Sequence, residues 1–272
     1  MKYYCFNGKI TNKQPEITPQ NRSFRYGDGI FETIKVFKNQ ILLGEFHFDR
    51  LITSLSLLNI SAPAFLSYNA LHENILELCS KNNCQESARV RVTVYRDDEN
   101  EAGSIIEAVS LDEKINSLNQ DGWAVDLYPF ARKSMDAFAN LKSANYLPYA
   151  MADLYAKQNG MDECLVLNCD NKIADASKAN LFIVLKDEVY TPALHQGCVN
   201  GVKRRFVIEQ LKHLGVAVHQ QEIHEEFLLQ ADEVFLTNAI NDIRWVKFFR
   251  NKKFTSSFTN GFYQKVFSTI YQ

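Results

Sequence analysis

Lys142 stands before Ser143-Ala144-Asn145-Tyr146-Leu147-Pro148-Tyr149-Ala150-Met151-Ala152, a small, aromatic and apolar run. The pattern predicts a helix to about residue 158, buried on one face, with the lysine at its mouth. Desolvation at such a place lowers an ammonium pKa, and a neutral amine condenses with an aldehyde. Taken alone, the lysine equally reads as a side chain that snorkels at a helix start. Two further stretches bear on that choice. Asn200-Gly201-Val202-Lys203 opens a helix. First-turn N–H groups and the helix dipole make an anion cradle, which a glycine lets the ligand approach closely. Asp175 lies in the small, apolar stretch Ile173-Ala174-Asp175-Ala176. An unpaired carboxylate is costly there, so it needs a cationic or protonated partner. An amine for an aldehyde, N–H groups for a phosphate and a carboxylate for a protonated ring nitrogen are together what pyridoxal 5′-phosphate requires.

The elements that carry these residues fall into two groups. Residues 1–12 predict two short strands around Asn7-Gly8, and 13–23 a polar loop. Gly27-Asp28-Gly29 predicts a tight turn, read either as part of a β-hairpin or as backbone that comes close to a ligand. A strand over 30–37 turns at Lys38-Asn39-Gln40 into a strand over 41–43. Helices follow over 47–58 and 68–81. Residues 87–96 alternate with period two, placing Arg89, Arg91, Thr93 and Tyr95 on one face and Val90, Val92, Val94 and Arg96 on the other. Paired arginines on a strand face are either a solvated surface or an anion site. A charged turn is expected at 97–103 and a strand at 104–111. The first 115 residues thus predict a small α+β unit. Residues 112–122 are polar, and the linker is placed at 116–122. A second unit is expected over 123–272, with strands at 123–130, 163–168, 180–185, 189–192, 217–222 and 232–239. Its later helices are expected at 206–214 and 225–230, with a strand pair and a terminal helix at the end.

Composition narrows the functional classes. A chain of 272 residues with 46% hydrophobic residues supports a sizeable core, and a formal net charge of −2 provides no bulk basic field for nucleic acid. No run approaches the roughly 20 apolar residues of a membrane span. Met1-Lys2-Tyr3-Tyr4-Cys5-Phe6 lacks the apolar centre of a signal peptide. Cys79 and Cys84, like Cys164 and Cys169, have four residues between them, with no CxxC and no matched histidines, so no zinc site is expected. Reduced core thiols and a cytoplasmic location are expected.

In register along the chain, Tyr26-Gly27-Asp28-Gly29-Ile30-Phe31-Glu32-Thr33, His47-Phe48-Asp49-Arg50-Leu51, Lys142 with Asn145-Tyr146-Leu147, Asn180-Leu181-Phe182, Val199-Asn200-Gly201-Val202 and Ala231-Asp232-Glu233-Val234-Phe235 resemble the class IV, or fold-type IV, pyridoxal-phosphate enzymes. These include branched-chain aminotransferases, D-amino-acid aminotransferases and 4-amino-4-deoxychorismate lyases. The resemblance spans residues 25–246 and implies an α+β, two-domain fold with a small N-terminal domain and a larger, β-rich C-terminal domain. It implies that Lys142 carries the cofactor and moves the α-proton, and that Arg50 binds the phosphate. Tyr146 would sit near the phenolic oxygen, Val202 and Lys203 would offer backbone N–H groups, and Asn238 and Ala239 would close the phosphate pocket. Asp175 falls where the family usually has glutamate. One methylene shorter, it requires a closer ring, a bridging water or a weaker contact. Thr33, Cys198-Val199-Asn200-Gly201-Val202 and Thr237-Asn238-Ala239 resemble the lyases. That implies release of pyruvate and 4-aminobenzoate on the folate pathway, with Thr33 assisting the leaving group. The alternative is a branched-chain or D-amino-acid aminotransferase in which Arg91 or Arg96 holds a substrate carboxylate. A homodimer is the implied assembly, and a fold that has lost catalysis is a third reading.

Overall fold

The computed structural model describes residues 1–97 and 102–271. Part of the turn expected at 97–103 therefore lies outside the described residues. The chain divides into two units, one of Met1–Ile115 with Leu141–Tyr146, the other of Asn116–Asn140 with Leu147–Gln272. The stretch that bears Lys142 belongs to the first unit.

In the first unit, β1 (Tyr4–Phe6) and β2 (Lys9–Thr11) form a hairpin, and α1 (Arg22–Tyr26) leads into β3 (Gly29–Phe37). After β4 (Gln40–Ile41) come α2 (Gly44–Leu57), α3 (Tyr68–Lys81), β5 (Ser87–Arg96) and β6 (Ala102–Ser110). The six strands make one sheet in the order β2-β1-β6-β5-β3-β4. Positive φ at Lys38 and Asn39 closes the tight turn between β3 and β4. Alternation on β3 and β5 sends Ile30, Ile34, Val36, Val90, Val92 and Val94 into a core with Leu51 and Leu55 of α2 and Leu71, Ile75 and Leu78 of α3. Each such side chain contributes roughly 1.5–3 kcal/mol of burial. Glu32 lies on that same apolar face.

The helix α1 begins inside the polar loop expected at 13–23 and runs past its end to Tyr26. Asn21 accepts from the Phe24 N–H as its N-cap, and Gly27, at φ 68°, ends it in the left-handed conformation. Five residues are too few to show a helical period. Lys142 also departs from expectation, because it is not at a helix mouth. Phe31 N–H donates to Lys142 O at 2.9 Å and Ala144 N–H to Gly29 O at 2.8 Å, so the segment runs as a short extended partner of β3.

The second unit comprises β7 (Trp123–Lys133), α4 (Leu147–Gln158), β8 (Glu163–Asn168), β9 (Ile173–Ala176), β10 (Asn180–Leu185), β11 (Glu188–Pro192), α5 (Val202–His213) and β12 (Val218–Gln221). It continues with α6 (Glu225–Gln230), β13 (Glu233–Asn238), β14 (Asp242–Phe249), β15 (Lys252–Lys253) and α7 (Ser257–Val266). Its sheet runs β12-β11-β10-β13-β14-β7-β8-β9, with β15 on β14. One face packs Leu165, Ile173, Leu181, Val234 and Val246, and another cluster joins Phe182 and Phe235 to Val207 and Leu211 of α5. The helix α4 buries Tyr149, Ala152 and Ala156. Among the described residues no helix is long and apolar enough to cross a membrane, and no group of three or more candidate side chains could hold a metal ion.

Candidate active site

The first unit gathers an amine, two aromatic rings, a guanidinium and hydroxyls. The Lys142 Nζ lies 4.7 Å from the Phe31 ring centroid and 5.8 Å from that of Tyr146. Those rings meet edge to face at 5.4 Å. Across the β3–β5 ladder Phe31 pairs with Thr93 and Thr33 with Arg91. Such opposed side chains share one sheet face. The Arg91 guanidinium lies 3.8 Å from the Phe31 centroid and donates from Nε to Thr93 Oγ1 at 3.2 Å. Burial pulls Arg91 below its ordinary pKa, against the opposing influence of Glu107 and Tyr146. A partly desolvated cation on an aromatic face suits a carboxylate.

Arg96 has other work. Its guanidinium donates to Asp28 Oδ2 at 3.0 Å, to Leu58 O at 2.6 Å and to Asn59 O at 3.2 Å. These bonds fasten the Gly27–Gly29 turn and the end of α2 and engage the Arg96 guanidinium at three acceptors.

Arg50 is held by a residue that sequence reasoning did not single out. Its Nε donates to Glu32 Oε1 at 2.7 Å and its Nη2 to Glu32 Oε2 at 2.5 Å. His47 Nδ1 lies 2.7 Å from the same Oε2. Burial alone would push the Glu32 carboxyl up. The Arg50 charge, together with the His47 and Arg50 hydrogen bonds, outweighs it and holds the carboxyl at about 2. A two-point grip of this kind fixes the plane of the guanidinium. A small cavity of about 30 Å³ lies beside Glu32 and His47, lined mostly by apolar side chains that include Ile34, Phe48, Leu51 and Val92.

In the second unit Asp175 is 2% exposed and holds three hydrogen bonds. Tyr149 Oη donates to Oδ2 at 2.8 Å, Val199 N–H to Oδ2 at 2.7 Å and Asn180 Nδ2 to Oδ1 at 2.7 Å. A carboxylate offers about four acceptor directions, so a fourth donor is still accommodated. Asn180 also donates to Val199 O at 2.9 Å, fixing the loop before α5. A Cβ on Gly201 would stand 1.9 Å from Asn180 Oδ1, so only glycine lets the loop lie this close.

The helix α5 begins at Val202, and Arg205 N–H is the first to bond back, to Gly201 O. The N–H groups of Val202 and Lys203 thus open the first turn, where no intrahelical acceptor exists. The helix starts four residues earlier than its sequence suggests. The side chain of Lys203 does not follow its N–H group. It is buried, with Nζ 2.6 Å from Asp242 Oδ1. Asn238 ends β13, and its Oδ1 accepts from Ile240 N–H at 3.0 Å and Asn241 N–H at 2.7 Å. That cap shapes the turn that contains Ala239. Within the second unit, the buried carboxylate, the glycine-fitted loop and the open helix turn are groups of the kind that a pyridine nitrogen and a phosphate require; within the first unit, Lys142 on its aromatic faces is an amine of the kind that an aldehyde requires.

The family described as amino-transferase class IV matches residues 29–248. A putative branched-chain-amino-acid aminotransferase of Methanocaldococcus jannaschii is 28% identical over 251 residues, covering 89% of this chain and 86% of that protein. Aminodeoxychorismate lyase of Bacillus subtilis is 28% identical over 253 residues, covering 87% and 83%. In fold, the branched-chain aminotransferase of Thermoproteus uzoniensis superposes with a TM-score of 0.87 at 23% identity, over 97% of this chain and 93% of that one. A putative 4-amino-4-deoxychorismate lyase of Legionella pneumophila gives 0.85 at 23% identity, over 94% and 96%. The architecture is therefore fold-type IV, and the cofactor of the matched family is pyridoxal 5′-phosphate.

Proposed function

We propose, from the premise that this chain belongs to the amino-transferase class IV family, that it converts 4-amino-4-deoxychorismate to 4-aminobenzoate and pyruvate. The observation that carries the reading is the first unit's sheet face, where Thr33 pairs with Arg91 beside Phe31 and Lys142. A ring substrate with two carboxylates needs a cation, an aromatic surface, a base and a hydroxyl near its leaving group, and this face offers all four. Bound pyridoxal 5′-phosphate supplies an aldehyde for the substrate amine and a ring that accepts electrons. Lys142 takes the proton from the amine-bearing ring carbon. The Thr33 hydroxyl donates a hydrogen bond to the enol oxygen as the C–O bond breaks, and the substrate ring becomes aromatic. Arg91 holds a carboxylate. Of the first unit, Arg50 and Tyr146 would hold the cofactor; of the second, Asp175, Asn238 and the N–H groups of Val202, Lys203 and Ala239 would do so.

Curated relatives carry both lyase and branched-chain aminotransferase names, so the aminotransferase is the second reading. Product analysis separates them. With 4-amino-4-deoxychorismate and no 2-oxo acid, the lyase reading expects 4-aminobenzoate and pyruvate in equal amounts over many turnovers. No 4-aminobenzoate, with steady transfer of an amino group from leucine to 2-oxoglutarate, would replace it with the second reading.

Arg50→Ala should weaken cofactor binding by about 1.5–3 kcal/mol, the range of a charge-assisted contact, while turnover at saturating cofactor changes less. Equal dissociation constants for variant and wild type would remove Arg50 from the site. A homodimer is part of the same reading. In the second unit Phe130 is 76% exposed and meets Tyr128 and Tyr155 edge to face, an apolar surface suited to a second copy. The six cysteines are free thiols, in keeping with a reducing cytoplasm.

A further inference from the structure

Lys133 ends β7 in the second unit and is 8% exposed. A buried ammonium needs acceptors and a compensating charge. Its Nζ donates to Ala139 O and Gly197 O, so one side chain ties together the loops that follow β7 and precede α5. The two loops already touch, because a Cβ on Gly197 would stand 2.6 Å from Ser134 O. Two residues beyond Gly197, the Val199 N–H donates to Asp175 Oδ2. The Lys133 Nζ also lies 5.4 Å from the ring centroid of Tyr149, whose hydroxyl donates to that same oxygen. Two of the three donors on Asp175 are therefore set by elements that Lys133 touches.

We propose that Lys133 is a positioning residue for Asp175: it clamps the Gly197–Val199 loop and places a buried positive charge beside Tyr149, a donor to the carboxylate. The proposal rests on the reading that Asp175 serves the pyridine nitrogen. Aspartate is shorter than the family's usual glutamate, and three donors hold it in place, so its charge must be secured where it stands. Burial pushes the Asp175 carboxyl up, and the first influence opposing burial is Lys133, ahead of the hydrogen bonds from Val199, Tyr149 and Asn180. Burial pulls Lys133 down, and Asp175 leads the groups that oppose this, followed by Cys198 and Asp136. The Cys198 thiol is itself pushed up to about 12 by burial and stays neutral, so it adds no competing anion at neutral pH.

The test uses holoenzyme with aspartate labelled at the side-chain carboxyl with ¹³C and cofactor labelled with ¹⁵N at the pyridine position. The Asp175 carbon signal is identified by its loss in Asp175→Asn. In wild type it should report a carboxylate from pH 6 to 8. In Lys133→Met its titration midpoint should rise by at least about one pH unit, the effect of losing a nearby opposite charge. Lys133→Arg, which keeps the charge, should restore most of the wild-type behaviour. The pyridine ¹⁵N signal should move toward the unprotonated position in Lys133→Met, as it should in Asp175→Asn. A folded Lys133→Met with an unmoved Asp175 midpoint would overturn the proposal. So would a protonated Asp175 in wild type at pH 7, a result that requires no variant to fold. A carboxyl that responds to Lys133→Met beside a pyridine signal indifferent to Asp175→Asn would support the Lys133 coupling and overturn only the assignment of Asp175 to the ring.

Discussion

Lys142→Ala is expected to lower turnover by more than about a thousandfold, because on the proposed reading it removes the amine that both carries the cofactor and moves the substrate proton. The fold should survive. The backbone of this segment, not its side chain, pairs with β3, through Phe31 N–H to Lys142 O and Ala144 N–H to Gly29 O. The side chain rests over Phe31 and Tyr146, and truncation leaves those rings in edge-to-face contact. Borohydride reduction followed by peptide mass measurement provides the check. Wild type should carry the reduced cofactor on the peptide containing Lys142, and the variant should carry none. A trapped adduct in the variant, or turnover within tenfold of wild type, would assign the amine elsewhere.

Glu32→Ala should be the most destabilising change near the site, by about 3–5 kcal/mol at pH 7, since it removes the buried carboxylate that the Arg50 guanidinium and the His47 ring share. The same contacts give wild type a defined acid response. The Glu32 carboxyl sits at about 2 in the folded chain against an ordinary 4.5, a depressed value. Its contribution, on the order of 3 kcal/mol, is therefore fully present above about pH 4.5 and is lost as the pH falls toward 2. Denaturant unfolding at pH 7 and at several points below pH 4.5 measures both effects. Glu32→Gln should show a flatter acid slope than wild type. Parallel slopes would mean that Glu32 ionises alike in the folded and unfolded chain.

Local pattern revealed most of the scaffold. Strand β5 over Ser87–Arg96 and helix α3 over Tyr68–Lys81 were both legible because each has a strong period and a clean boundary. Where the pattern is interrupted, the element boundaries are not legible. The start of α5 carries Lys203-Arg204-Arg205, three charges that interrupt the apolar period before the helix expected at 206–214. Yet Lys203 pairs with Asp242 and Arg204 donates to Pro192 O and Gln220 Oε1, so two of the three charges face inward. Those partners lie far along the chain and leave no periodic trace.

The site shows the same division. Lys142, Asp175 and the Asn200-Gly201 loop each carry a local chemical oddity, and the sequence exposes them. Arg50 reads as one more polar residue on a helix because its partner Glu32 is 18 positions away. The signal that would have found Glu32 is a carboxylate on the apolar alternation of Ile30, Ile34 and Val36. Lys133 offers no such signal. It follows Arg132 at a strand end, and its burial results from loops closing over it.

The lyase reading is tested most directly by a single-turnover spectrum of the cofactor, recorded by rapid mixing with one substrate and no 2-oxo acid. A lyase returns its cofactor unchanged after each turnover, whereas an aminotransferase stops after the first half-reaction with the cofactor in its amine form. With 4-amino-4-deoxychorismate, the absorbance of the aldehyde form should be regained within the turnover while 4-aminobenzoate accumulates, and leucine, glutamate or D-alanine should convert the cofactor only slowly. Rapid, complete loss of that absorbance with leucine or D-alanine, restored by 2-oxoglutarate, together with no 4-aminobenzoate from 4-amino-4-deoxychorismate, would contradict the account.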